Sequence, residues 1–187
     1  MRTGFIPLAL AAALCVAFPA GAAEGQGTPY AGQQAREIKA LSREEIAALR
    51  DGEGMGFAKA AELNSYPGPR HALELANDLG LSEGQVRRLD AIYQRMNAEA
   101  RTLGTALIER ERALDALFAR GTITPENLAA ETARIADIQG RLRAVHLAAH
   151  IETRALLGSE QVARYNRLRG YDGPAATGHG HPAGHRH

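Results

Sequence analysis

Two histidines four residues apart, His146 and His150, fall on one face of a helical segment. At that spacing two imidazoles can share one ion, and neutral imidazole suits Zn, Cu and Ni. The same pair serves equally as a structural contact, and spacing alone does not separate the two readings. A second group, His179, His181, His185 and His187, alternates with Gly, Pro and Ala. Such a tract can wrap an ion without a preformed cage, or it can simply be solvated. His71 stands apart with no legible partner. None of these features requires a cofactor.

Groupings that would support catalysis are missing. There is one cysteine, Cys15, no Gly-rich phosphate loop and no serine in a strand-turn-helix setting. Glu109, Glu111 and Asp115 alternate with arginines and read as a solvated face. The chain is therefore expected not to be an enzyme.

The elements that must position the histidines begin after a leader. Met1-Arg2-Thr3 precedes an apolar run from Phe5 to Phe18 and the small residues Ala20-Gly21-Ala22-Ala23. That order is the pattern of a secretory signal peptide over 1–23, cut after Ala22 or Ala23. The apolar run is shorter than the roughly 20 residues a membrane span needs, so no stable membrane insertion is expected. Leu14 before Cys15 is not the small residue that a lipoprotein signal requires. Cleavage removes Arg2 and the only cysteine, and the 22 basic residues become 21, equal to the 21 acids. A neutral chain without long charge runs gives no reason to expect a nucleic-acid partner.

Residues 24–33 read as a flexible segment. A helix is expected from Gln34 to Asp51-Gly52, with a capping box at Ser42 and Glu45, so that 34–66 holds short N-terminal helices. A further short helix is expected from Pro67-Gly68-Pro69 to Gly80. Ser82 and Gln85 then open a helix over 83–119, roughly 55 Å long, with a heptad seam through Leu89, Tyr93, Met96, Ala100, Leu103 and Leu107. Thr124 and Pro125 start its partner, whose seam runs through Leu128, Glu131, Ile135, Leu142 and Val145. An antiparallel turn at 120–124 sets Arg110 beside Glu131, the two polar breaks in the seams. It places Tyr93, Met96 and Asn97 across from His146. It also sets Gly104 beside Gly140, either by chance or because the helices approach closely there. A last helix is expected from Ser159 or Glu160 to Arg169, followed by a disordered tail over 171–187.

The segment Leu81-Ser82-Glu83-Gly84-Gln85 recurs as Leu157-Gly158-Ser159-Glu160-Gln161, once at the head of the hairpin and once at its exit. Paired motifs of this Leu-Thr-x-x-Gln type, behind a signal peptide, resemble the Spy/CpxP family of periplasmic proteins, over residues 67–170. The family motif falls on Leu81, Ser82, Gln85, Leu157 and Gln161, with Ser82 in place of Thr and Gly158 departing from it. The resemblance implies an all-α, cradle-like and dimeric fold with ATP-independent chaperone or envelope-stress activity in the periplasm. Related heavy-metal sensors pair histidines with a methionine, which would make Met96 a third ligand beside His146 and His150.

Two functions follow as expectations. The first is a chaperone for unfolded periplasmic proteins, with Ile92, Ile108, Phe118 and Leu147 as an exposed or dimer-facing apolar patch. These four lie off the seam, and they can alternatively pack on the short N-terminal helices. The second is a metal sensor or buffer acting through the histidines. A structural dimer pressing on a sensor kinase is a third class that the residues leave open.

Overall fold

The computed structural model describes residues 28–172. The leader assigned to 1–23 and the tail histidines His179, His181, His185 and His187 lie outside the described residues. The chain divides into two units, Met1–Gln34 and Ala35–His187. In the first, residues 29–32 form turns that lead into a short 3-10 helix, Gln33–Ala35, with Gln33 Nε2 donating to the Pro29 carbonyl at 3.1 Å.

The second unit is helical, and it has no strand among the described residues. Its helices are α1 (Arg43–Asp51), α2 (Lys59–Glu62), α3 (Pro69–Glu74), α4 (Glu83–Ala119), α5 (Pro125–Leu156) and α6 (Ser159–Leu168). Each long helix starts where a side chain can satisfy first-turn amides. Ser82 accepts from the Gln85 amide at 3.2 Å, and Gln85 Oε1 accepts from Ser82 N at 3.0 Å. Thr124 and Asn127 make the same reciprocal pair at the start of α5. Between them Gly121, with φ +65°, ends the descent of α4.

α4 and α5 pack along each other as the heptad spacing requires. Leu103, Leu107, Ile135, Leu142 and Ala149 are buried in their seam. The polar layer forms as expected, with Arg110 Nη1 3.6 Å from Glu131 Oε2 and Arg134 also paired to Glu131. Glu131 is buried, so this layer penalises any shift of register that would strand its carboxylate.

Three expectations are corrected. The first α-helix starts at Arg43, and near Gln34 there is only a three-residue 3-10 helix, Gln33–Ala35. Ile38 is fully buried, and Lys39 N donates to Asp115 Oδ1 at 3.2 Å, so the chain before Ser42 spends its hydrogen bonds on α4. The helix expected to run to Gly80 ends at Glu74. Turns continue to Gly80, whose φ is +60°, and Leu81 N donates to the Ala76 carbonyl at 3.0 Å. Gly104 and Gly140 do not meet. A Cβ at Gly104 would lie 2.1 Å from the Leu49 carbonyl oxygen, whereas nothing lies within 4 Å at Gly140. The close approach at Gly104 is to α1.

That approach seats α1 across α4. Asn97 Nδ2 donates to the Asp51 carbonyl at 2.7 Å and Arg101 Nε to the Arg50 carbonyl at 3.1 Å. Both carbonyls belong to the unpaired last turn of α1. Ile46 and Leu49 pack beneath.

Candidate functional site

The two motif repeats meet at the base of the hairpin. Gln85 Nε2 donates to the Leu156 carbonyl at 2.9 Å and to Gln161 Oε1 at 2.9 Å. Gln161 Nε2 returns to Gln85 Oε1 at 3.2 Å, and Gln161 Oε1 accepts from Gly158 N at 3.0 Å. Each glutamine oxygen therefore caps its own helix while each amide nitrogen grips the other motif. Gly158, not Ser159, occupies the cap position of α6. Leu157 is buried with Leu89, Val162 and Tyr165, and Leu81 packs at the edge of that cluster. The paired motifs form a clamp between α4, the end of α5 and α6.

Two of the four residues expected to form an exposed patch are covered. Ile92 and Ile108 are 6% and 3% exposed, in one cluster with Ile38, Ile46 and Leu49. Ile108 sits under the N-terminal segment, on the flank of α4 where Gly104 admits α1, whereas Ile92 lies on the opposite flank, beside Ala144, Val145 and Ala149 of α5. Phe118, near the hairpin turn, is 56% exposed, and Leu147 is half-buried.

His146 and His150 line one cavity of about 140 Å³ together with Met96, Tyr93, Asn97 and His71. The cavity lies where the segment following α1 and the start of α3 cross α4 and α5. His146 is buried, and its ring stacks on Phe57 with centroids 5.9 Å apart and planes 14° apart. Its Nε2 has no hydrogen-bond partner. Burial holds its pKa below the ordinary histidine value, and the neighbouring His150 adds to that effect. His150 Nδ1 lies 2.7 Å from the Tyr66 carbonyl oxygen. A carbonyl only accepts, so Nδ1 carries the hydrogen and Nε2 keeps its lone pair. His71 Nδ1 is 2.8 Å from Glu74 Oε2.

Behind His150 stands a carboxylate that sequence reasoning missed. Glu62 Oε1 accepts from the hydroxyls of Tyr165 at 2.5 Å and Tyr171 at 3.0 Å, with Arg169 Nε at 3.5 Å. Its Oε2 accepts from Gly68 N at 3.2 Å and lies 3.6 Å from His150 Nδ1. Burial pushes the Tyr165 phenol well above its ordinary pKa, and the bond to Glu62 adds to this. Gly68 is required beside this hub, since a Cβ there would lie 3.0 Å from the His150 ring. Tyr66 and His71 were likewise missed as neighbours of the α5 histidines. Their partners lie some 80 residues away in sequence, and only the abundance of tyrosine in an otherwise aromatic-poor chain hinted at a polar hub.

Among the described residues, no three His, Cys, Asp or Glu side chains converge in a way that would hold a metal ion. Nor is any described helix long and apolar enough to cross a membrane. No family model, curated protein or solved structure matches this chain.

Proposed function

We propose that the chain is an exported, ATP-independent chaperone of the Spy/CpxP type, holding unfolded clients on the helical hairpin. The observation that carries this reading is the second apolar stripe of α5. Ala129, Ala133, Ala136, Gly140, Ala144 and Ala148 are exposed along it, and Ile151 is 60% exposed at its end. The stripe is bordered by Arg141 and Arg143, and Ala144 and Ala148 edge an open groove with Ile92 and Met96 of α4. Phe118 and Leu128 extend the exposed apolar surface at the hairpin turn. Shallow apolar area beside charge binds extended apolar segments weakly and without one preferred sequence. Client holding therefore belongs to the outer face of α5 and the turn rather than to Ile92 and Ile108.

The test is light scattering of a denatured model client diluted with the chain at equimolar ratio, without ATP. Suppressed aggregation that is lost on Ile151→Ser with Phe118→Ser supports the reading. An absence of suppression by the unsubstituted chain would sink it.

A further inference from the structure

We infer that residues 54–66 form a hinged strap over one flank of α5, clasped shut through Glu62, and that the open strap widens the client surface. The widening rests on the client-holding reading; the clasp does not.

The strap has almost no core of its own. It runs between two buried anchors, Gly52 and Pro67, and carries α2, which has no buried residue. Ala58 is its one buried residue, while Met55, Leu63 and Tyr66 are exposed. Seven of its amides, from Phe57 to Tyr66, donate to carbonyls between Gly54 and Ala61. Those bonds travel with the strap, so it can swing as a unit without giving up its backbone pairing. Both ends carry strain. Among the described residues, Met55 and Ser65 are the two that hold a left-handed backbone without being glycine, at φ 42° and 66°. A Cβ disfavours that region, so rotation at either position relaxes the chain, as at a hinge.

What holds the strap down comes from the far end of the chain. Glu62 Oε1 accepts from the hydroxyls of Tyr165 at 2.5 Å and Tyr171 at 3.0 Å, with Arg169 Nε at 3.5 Å. Ser65 Oγ accepts from Asn166 Nδ2 at 2.8 Å. After α6, Gly170 with φ +75° reverses the chain, and Tyr171 N donates to the Asn166 carbonyl at 2.8 Å. The Tyr171 ring is thereby turned back toward Glu62, and the Arg169 guanidinium lies over it, 5.8 Å from the centroid. Against α5 the strap adds the Phe57 stack on His146 and the Tyr66 carbonyl on His150.

Opening withdraws Phe57 and uncovers the flank of α5 that carries His146 and His150. Leu147 lies three residues from His150, and Ile151 lies four from Leu147. The uncovered flank is therefore continuous around α5 with the exposed stripe. A client on the joined surface binds the open strap better than the closed one and shifts the balance toward it.

The test is hydrogen–deuterium exchange of the full chain, read peptide by peptide, beside light scattering of the denatured model client. Tyr171→Phe removes one hydroxyl and keeps the ring. It should speed exchange over 57–66 roughly tenfold, the least that a hydrogen bond to a charged group carries, and leave α4 unchanged. It should also suppress aggregation at a lower ratio of chain to client. Met55→Gly relieves one hinge and should slow the same amides. Exchange over 57–66 that ignores Tyr171→Phe, or that rises equally throughout α4 and α5, would overturn the clasp. Faster strap exchange with suppression no better than that of the unsubstituted chain would overturn the widening. If neither chain suppresses aggregation, the client reading falls, and the exchange rates still decide the clasp.

Discussion

α4 and α5 are close in length, at 37 and 32 residues, and lie side by side, yet they are covered differently. α4 buries two flanks. Its seam meets α5, and the flank bearing Gly104 and Ile108 lies under α1 and the segment before it. α5 buries its seam together with His146 and Thr153, but leaves its alanine-rich outer face open. Both helices carry one interior glycine. At Gly104 the missing side chain admits the α1 backbone, while at Gly140 it admits nothing. Covering a long helix with a short one thus depends on a single position where backbone meets backbone, and apolar residues on the flank are not sufficient by themselves.

The most severe way to break this contrast is Gly104→Ala. The new Cβ would sit 2.1 Å from the Leu49 carbonyl, and α1 cannot rotate away without breaking its bonds to Asn97 and Arg101. Urea denaturation should show a loss of about 4 kcal/mol, at the upper end of overpacking effects. Next in size is a matched pair of isoleucines. Ile108→Ala on the covered flank should lose about 3 kcal/mol, whereas Ile151→Ala on the open flank should stay within about 0.5 kcal/mol. Equal losses at the two sites would erase the distinction.

A smaller effect is expected at the clamp, which both helices share. Gln85→Leu strands the Leu156 carbonyl and the Ser82 amide and leaves the Gln161 amide only the Gly80 carbonyl, at a cost of roughly 2 kcal/mol. Combined with Gln161→Leu it should cost less than the sum of the two single changes, as a double-mutant cycle would show. The smallest effect has the opposite sign. Gly140→Ala meets no neighbour and should raise stability by about 1 kcal/mol through helix propensity. A loss there would mean that the outer face of α5 is covered in solution.

What was legible beforehand was local or strictly periodic. Ser42, Ser82 and Thr124 were recognisable as caps because their partners lie three residues away. The meeting of Arg110 with Glu131 followed from a short turn and a regular helix, so counting residues sufficed. The reading failed where a partner came from an unrelated part of the chain. Gly104 was matched to the wrong helix because α1 approaches from 55 residues upstream. Ile92 and Ile108 were left between an open patch and packing on the short N-terminal helices; Ile108 packs there, whereas Ile92 packs towards α5. At the candidate site the spacing of His146 and His150 was visible, and so was Met96 across the seam. The Tyr66 carbonyl, Phe57 and Glu62 were not, since nothing periodic links the α2 region to α5.

The glutamine clamp also orders events in time. Gln85 is bound to groups 71 and 76 residues further along, while the turn at the opposite end joins near neighbours. In a chain emerging N-terminus first, the two long helices can wind together from the turn inward. Their free ends stay unfastened until the residues of α6 appear. The helix made last is therefore the latch for the one begun some 75 residues earlier. A chain stopped just before Ser159 would hold the core between α1, α4 and α5 but lack Val162 and Tyr165, which bury Leu89 and Leu157 at the base, as well as the fastening that closes it.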